Sequence, residues 1–245
     1  MERQKTNKNI ILGGIILAIV VLSVFYFKNN TSTVNKIISL ENIPENIDTT
    51  ISGEEKTRVE TENIALQDEI NTGDCAEGEE KTTCFEEYLQ LGINYELTGE
   101  LLKAITAYQN AAEISPESYI PYSNAGSIYR QNKDYVRAEA AFKYALELDP
   151  LSLSVYTKLY ELYRYDLKKY PHEIMPFFAE ALDKTGNDFG VILLYAGYLY
   201  DVNDYSNALI VWKSLAEAFP DNSLYQDKVD ILEAKVKAEQ EALQG

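Results

Sequence analysis

Few residues in this chain have the types and the spacing that catalysis requires. His172 is the only histidine, and it stands beside Pro171, where a surface turn residue is expected rather than a general base. No glycine-rich phosphate loop, HExxH, GxSxG or paired-cysteine zinc pattern occurs in the sequence. The sequence therefore predicts no enzyme, no cofactor and no metal site.

Cys75 and Cys84 are the only cysteines and lie nine positions apart. In an oxidising compartment they would form a disulfide that ties the preceding segment to the helix that follows. The alternative is two unpaired thiols. Two cysteines with the distant His172 do not make a metal site.

The composition limits the classes of partner. A net charge of −17 and a pI near 4.5 argue against nucleic acid, because phosphate binding needs a basic face. They also disfavour docking on anionic lipid. An acidic surface often only keeps a protein soluble, so a basic partner is one of two interpretations.

A pattern of bulky and small residues recurs with a period of 34 residues. Its first copy contains Tyr88, Leu91, Gly92, Tyr95, Ala104, Tyr108, Ala111 and Pro116. Adding 34 gives Tyr122, Ala125, Gly126, Tyr129, Ala138, Phe142, Ala145 and Pro150. Each copy predicts two short helices, with a glycine where the helices approach closely and a proline that stops the second helix. Ser118 and Ser152 are candidate N-caps of the helices that follow.

These spaced positions resemble the tetratricopeptide repeat. The resemblance implies an all-α, helical-hairpin solenoid in which the signature residues form the core. Four units are predicted, at residues 85–118, 119–152, 153–188 and 189–222. The third departs from the pattern, since Tyr160 replaces the glycine and residues 165–173 run two residues too long. In the fourth, the turn between the helices is one residue short.

The last segment, residues 223–245, predicts a capping helix that covers the end of the repeats. Its charged residues fall on one side. The apolar side would consist of Leu224, Val229, Ile231, Leu232 and Val236.

The chain begins with a basic segment, residues 1–9, followed by an unbroken apolar run at 10–27. A helix of that length spans about 27 Å, close to the hydrocarbon core of a bilayer. The charge distribution predicts a single-pass anchor with the N-terminus in the cytoplasm and the repeats outside it. A cleaved signal peptide is the alternative, although no small-residue cleavage site follows the run.

Residues 28–84 are polar and acidic and contain no sustained apolar period. This composition predicts a largely disordered linker that lets the repeats stand off the membrane. Short helices near residues 34–40 and 64–70 are weaker expectations.

In the resembling family, peptides bind side chains of the first helix of each unit that point away from the core. Carried over to this sequence, those positions are Leu89, Ile93, Glu96, Ser123, Ser127, Arg130, Thr157, Glu161, Arg164, Leu194, Tyr198 and Asp201. Arg130 and Arg164 would grip a carboxylate of the bound segment, or pair with Glu161 and other local acids. Tyr165 and Tyr198 would offer rigid contact surface. The residues at these places depart from the lysine and asparagine clamp that one subclass uses for C-terminal carboxylates.

The sequence thus favours a membrane-anchored scaffold or adaptor whose extracytoplasmic repeats bind a protein or peptide partner and aid the assembly or secretion of an envelope complex. Two alternatives remain open at this point. One is a secreted adaptor released by signal-peptide cleavage, and the other is a structural protein that self-associates.

Overall fold

The computed structural model describes residues 31–72 and 80–243, with side chains from residue 84 onward in the second range. The described residues form helices joined by short loops and contain no strand. This all-α structure is consistent with the predicted helical-hairpin solenoid. None of the described helices combines the length and the apolarity needed to cross a membrane. The predicted basic segment 1–9 and anchor 10–27 lie outside the described residues.

In the described part of the chain, a short helical segment at residues 31–37 precedes ten longer helices. In chain order these are α1 Gly53–Thr72, α2 Glu80–Thr98, α3 Leu101–Ile114, α4 Ile120–Gln131, α5 Tyr135–Leu148, α6 Leu153–Glu161, α7 Pro171–Lys184, α8 Phe189–Asp201, α9 Tyr205–Ala218 and α10 Ser223–Ala242. The chain divides into two compact units at Asp149–Pro150. Unit 1 therefore ends with α5, and unit 2 begins with α6.

Each helical hairpin turns at a residue in the left-handed region. Gly99 has φ 83° between α2 and α3, and Lys133 has φ 60° between α4 and α5. In unit 2, Asn203 has φ 60° between α8 and α9. A left-handed residue after a helix ends it sharply, so the next helix runs back antiparallel to the first.

The helix boundaries follow local signals in the sequence. The side chains of Asp134, Asp188, Asp204 and Asn222 each accept a backbone N–H in the first turn of α5, α8, α9 and α10. The two predicted serine caps behave differently. Ser152 is the N-cap of α6 but makes no capping hydrogen bond, and Ser118 precedes the N-cap residue of α4, Tyr119. Helices α3 and α5 end at Ile114 and Leu148, each two residues before a proline.

The repeated residues form the core, as the sequence predicts. Ala104, Tyr108, Ala111, Tyr122, Ala125, Tyr129, Ala138, Phe142 and Ala145 are all fully buried. The glycines explain the close approach of paired helices. A Cβ atom on Gly92 would lie 2.3 Å from the ring of Tyr108, and one on Gly126 would lie 2.7 Å from the ring of Phe142. Gly197 differs, because a Cβ atom there would meet nothing within 4 Å.

The irregular third unit contains a π-helical turn, Leu162–Asp166, directly after α6. A π-helical turn accommodates extra residues within a continuing helix, and it accounts for part of the extra length. Tyr160, at the glycine position, lies with its ring 5.5 Å from that of Phe178. An aromatic pair therefore occupies the place where the first two units bring a ring against a glycine.

Helix α10 covers the end of unit 2 with a face that differs from the predicted one. Val229 and Leu232 are buried as expected, and Tyr225 joins them. Leu224 and Ile231 are 57% and 47% exposed, so the prediction was wrong for these two residues. The rings of Phe219 and Trp212 lie 6.0 Å and 5.8 Å from that of Tyr225, so aromatic contacts hold this face.

The described residues 31–72 also differ from the disordered linker that the sequence predicts at residues 28–84. Val34 and Ile38 are fully buried, and α1 buries Val59, Asn63 and Ile70. These side chains cover apolar surface at the first two hairpins, so residues 31–72 are ordered despite their polar composition. We call residues 38–51 the strap, because they run along the hairpin turns of unit 1.

Candidate functional site

The first-helix positions of unit 1 lie on α2 and α4 and differ widely in exposure. Ile93 is 46% exposed, whereas Ser123 is only 3% exposed. Leu89, Ser127 and Arg130 are half-buried. The hydroxyl of Ser127 donates to the carbonyl of Ser123 at 3.1 Å, a bond within α4. Ser123 is therefore not a contact residue, and the prediction was wrong at this position.

Glu96 is held in place from the second helix of its hairpin. The hydroxyl of Tyr108 on α3 donates to Oε2 of Glu96 at 3.2 Å. Burial raises the pKa of Tyr108, and the neighbouring Glu96 carboxylate raises it further. The phenol therefore stays protonated, and its hydroxyl fixes the position of the Glu96 side chain on the first-helix face.

The strap borders this face, which the sequence did not predict. The amide of Ile47 donates to the carbonyl of Gly99 at 2.8 Å. The hydroxyl of Tyr129 donates to the carbonyl of Ser39 at 2.8 Å, and the side-chain amide of Asn132 donates to the carbonyl of Asn42 at 3.0 Å. These bonds run from the second hairpin back to the first, so the strap lies antiparallel to the direction of the repeats.

A groove of about 530 Å³ lies between the strap and α2. It includes the predicted contact residues Ile93 and Glu96, together with Leu97 and Gln131 from the same face. Residues 47–51 of the strap form its other side. Two of the six predicted positions in unit 1 thus belong to one concave site.

A second groove, of about 920 Å³, separates α1 from α2 and α3. Its residues include Ile64, which is 72% exposed, and Lys103. The Lys103 ammonium lies 5.2 Å from the ring centre of Tyr95 and is paired with Glu100. A hydrogen bond from Lys103 to Glu100 raises the pKa of Lys103. None of the predicted contact residues lies in this groove.

In unit 2 the predicted positions lie on α6, the π-helical turn and α8. Thr157, Glu161 and Leu194 are half-buried, and Asp201 is exposed. The hydroxyl of Thr157 donates to the carbonyl of Leu153 at 2.9 Å, a bond within α6. Tyr198 is only 1% exposed, and its hydroxyl donates to the carbonyl of Pro171 at 3.1 Å. The prediction that Tyr198 contacts a partner was wrong, because this ring is core.

Tyr198 packs in an aromatic cluster of the third and fourth units. Its ring lies 4.9 Å from that of Phe178 and 5.9 Å from that of Tyr160. Tyr165, by contrast, is 55% exposed and lies 6.1 Å from Tyr160. Of the two tyrosines predicted to offer contact surface, Tyr165 alone is accessible.

Arg164 lies in the π-helical turn beside this aromatic cluster. Its Nη2 is 3.4 Å from the main-chain carbonyl of Asp201, and the hydroxyl of Tyr160 is 3.5 Å from Oδ2 of the same residue. Nε of Arg164 is buried and has no hydrogen-bond partner among the described residues. Burial raises the pKa of Tyr160, while the Arg164 charge acts in the opposite direction. The carbonyl of Asp201 therefore holds one end of the Arg164 guanidinium, and Nε at its other end makes no hydrogen bond among the described residues.

The remaining candidates lie apart from these faces. His172 is exposed, and its ring stacks on that of Tyr170 at 5.9 Å with an interplanar angle of 11°. Within residues 31–72 and 80–243, no group of histidine, cysteine, aspartate and glutamate side chains is placed to hold a metal. Cys84 is buried in α2, whereas Cys75 lies outside the described residues. Cys84 is disulfide-bonded, and its pairing with Cys75 stays a prediction.

The sequence of the hairpin formed by α4 and α5, residues 120–152, matches the tetratricopeptide repeat. Residues 120–152 are a tetratricopeptide repeat. The match covers the second of the four predicted units, and it contains Gly126, Phe142 and the capped turn at Asp134. No curated protein matches the chain. A tetratricopeptide repeat in a chain whose described residues form helices and no strand indicates a protein–protein interaction adaptor.

Proposed function

We propose that this protein is a membrane-anchored adaptor that binds a polypeptide partner on the first-helix faces of its repeats. It would act outside the cytoplasm and aid the assembly or secretion of an envelope complex. The tetratricopeptide repeat at residues 120–152 carries the binding part of this proposal. Repeats of this kind build extended binding surfaces from successive helices.

The accessible first-helix residues support a polypeptide as the partner. Unit 1 offers the aliphatic Ile93 beside the fixed charge of Glu96, and unit 2 offers Tyr165 beside Arg164. Mixed apolar and charged surfaces of this type suit a peptide that makes side-chain contacts and a few charged hydrogen bonds. The half-buried Arg164 would supply the positive charge for such a contact.

The membrane anchor rests on the sequence of residues 1–27. If residues 10–27 cross the membrane, residues 28–30 alone separate the span from residue 31, where the described part of the chain begins. Three extended residues cover about 10 Å. Because residues 31–51 lie along unit 1, we expect the repeats to lie near the membrane surface. A free linker of residues 28–84 would instead let them stand off the membrane.

A secreted adaptor remains the alternative for the N-terminal segment. The intact mass of the membrane-extracted protein separates the two. Retention of residues 1–27 supports the anchor, and their loss shows signal-peptide cleavage. The binding part of the proposal is the same in either case.

Self-association is the alternative from a different class. Helix α10 disfavours it, because its buried residues Tyr225, Val229 and Leu232 cover the apolar end of unit 2. Stacking between copies would need that surface to be open. Sedimentation of the full chain in detergent tests this alternative. A monomer at high concentration would exclude it.

Crosslinking in intact cells followed by pull-down tests the partner-binding proposal. The wild type is compared with the double variant Arg130→Ala/Arg164→Ala. The matched control is Lys143→Ala/Lys213→Ala, which removes one exposed cation from the second helix of a hairpin in each unit. We expect the arginine variant to lose the partner and the lysine variant to keep it. Equal recovery from both variants would contradict the assignment of the binding face.

A further inference from the structure

We propose that the strap and the exposed face of α2 together form one docking groove. Its occupant would be a short extended peptide segment that carries an aliphatic side chain next to a lysine or arginine. This inference rests on the proposed function, since it specifies the partner of the first-helix face. It adds residues 47–51 to that site and defines the chemistry that the site recognises.

The strap is a fixed wall of the groove because its backbone lies directly on a hairpin turn. Gly99 has φ +83°, and a Cβ atom there would lie 2.3 Å from the carbonyl oxygen of Ile47. Only glycine permits this contact. With Ile47 hydrogen-bonded to Gly99, the chain that follows is held in place beside α2.

The floor of the groove is apolar and accessible. Ile93 is 46% exposed and Leu97 is 39% exposed, and both line the groove together with Ile47 and Ile51. The exposed Ile93 and Leu97 on one side and the half-buried Ile47 and Ile51 on the other offer burial to a side chain that enters between them. An aliphatic residue of the partner fits this requirement.

The strap backbone favours an extended partner. In the described part of the chain, Ile47 makes the last backbone hydrogen bond between the strap and another segment, and residues 48–51 make none with other backbone groups. An irregular stretch with unpaired N–H and C=O groups can pair with a peptide that lies alongside it. A helical partner would already have its backbone groups hydrogen-bonded within the helix, so it could not form backbone hydrogen bonds with residues 48–51.

The charges at the groove select a basic residue in the partner. Asp48 and Glu96 both line it, and the described residues that form its lining include no lysine, arginine or histidine. Glu96 is held by the hydroxyl of Tyr108 at 3.2 Å, so its charge has a defined position. The net charge of −17 reinforces the local field and would speed the association of a basic segment.

A random-sequence library of short peptides, offered to the immobilised full chain in detergent, tests the proposal. Retained peptides are sequenced, and the dissociation constants of the most enriched ones are measured with the wild type and with variants. We expect enrichment of peptides that combine an aliphatic residue with a neighbouring lysine or arginine. Asp48→Lys should weaken their binding about fivefold, because it reverses one surface charge. Ile93→Asp should weaken binding more than about tenfold, because it removes apolar contact and adds a charge to the floor.

Two control variants match these changes at exposed positions outside the groove. Val136→Asp replaces an aliphatic residue that is 81% exposed on α5, and Glu147→Lys reverses an exposed charge on the same helix. Both should leave the dissociation constants within about twofold of the wild type. Circular dichroism of each variant establishes that the helices are retained.

Enrichment of acidic peptides, equal effects of groove and control variants, or no retention at all would overturn the proposal. These outcomes remain separate from failure of the proposed function. If crosslinking in cells recovers a partner that depends on Arg130 and Arg164 but not on Asp48 and Ile93, the adaptor role stands and this groove is not its site.

Discussion

The hydroxyl of Tyr129 makes two hydrogen bonds with the backbone of Ser39, ninety residues earlier in the chain. It donates to the Ser39 carbonyl at 2.8 Å and accepts from the Ser39 amide. The Arg137 guanidinium lies 4.8 Å from the centre of the same ring. A residue of the tetratricopeptide signature thus binds the N-terminal strap as well as filling the core, and the strap belongs to the repeat structure of unit 1.

Truncation of a buried strap-end side chain should destabilise unit 1. Ile38 is fully buried although it precedes the first predicted repeat by almost fifty residues. We expect Ile38→Ala to lower the free energy of unfolding by about 2–4 kcal/mol, because it leaves a cavity in the core. Ile64→Ala is the matched control, since Ile64 is 72% exposed and should change stability by less than about 0.5 kcal/mol. Chemical denaturation measures both, and equal small effects would show that residues 31–51 are a free linker.

The three signature glycines should respond differently to alanine. At Gly92 and Gly126 a methyl group would overlap the rings of Tyr108 and Phe142, so each substitution should cost about 1–3 kcal/mol. At Gly197 the space is open, and alanine should stabilise α8 by up to about 1 kcal/mol because it is the better helix former. Thermal unfolding of the three variants checks this order. Destabilisation by Gly197→Ala comparable to the other two would contradict the different environment of the fourth unit.

A buried amide pair joins α1 to α2. The Asn94 side-chain amide donates to Oδ1 of Asn63 at 2.8 Å, and Gln90 donates to Asn94 at the same distance. Asn94→Ala should cost about 1–3 kcal/mol, since it leaves the buried Asn63 without its donor. In a double-mutant cycle with Asn63→Ala, the two effects should be far from additive. Additive losses would mean that α1 does not dock on α2 through this pair.

The buried tyrosines should make the protein sensitive to alkali. Burial raises the pKa of Tyr108, Tyr122 and Tyr160 above the ordinary value. A raised folded-state pKa contributes stability below the unfolded pKa of about 10, and this stability is lost as the pH rises above it. Tyr108→Phe removes one such group, so the slope of the unfolding free energy above pH 10 should fall by up to about 1.4 kcal/mol per pH unit.

Denaturant titrations of the wild type and of Tyr108→Phe across the alkaline range measure that slope. Tyrosinate absorbance recorded in parallel follows the ionisation itself. Equal slopes for the two proteins, with full tyrosine ionisation near pH 10 in the native state, would show that these phenols are not protected.

The sequence predicted the hairpins well because their signals are local and repeated. The Gly92–Tyr108 and Gly126–Phe142 contacts follow from helical spacing within one hairpin, and the prolines and aspartates mark the helix ends. The site was less predictable. Tyr198 was assigned to the surface because the pattern places it there, yet its ring is buried against those of Phe178 and Tyr160.

The strap could not be inferred from periodicity. Its aliphatic residues are isolated among polar ones, and its order depends on hydrogen bonds to residues about ninety positions away, such as Tyr129 and Asn132. One signal was present in the sequence. Val34, in the helical segment just before the strap, and Ile38 are spaced by four residues, as in one face of a helix, but two residues alone do not distinguish a docked segment from a disordered one.

Site-specific photocrosslinking in cells tests the central claim, that a polypeptide partner binds the first-helix faces of the repeats. A photoreactive residue replaces Ser127 or Thr157 on the first helices, and Lys143 or Lys213 on the second helices as controls. We predict that both first-helix positions give adducts with the same partner, and that the second-helix positions give none. Adducts formed only from Lys143 and Lys213 would contradict the claim.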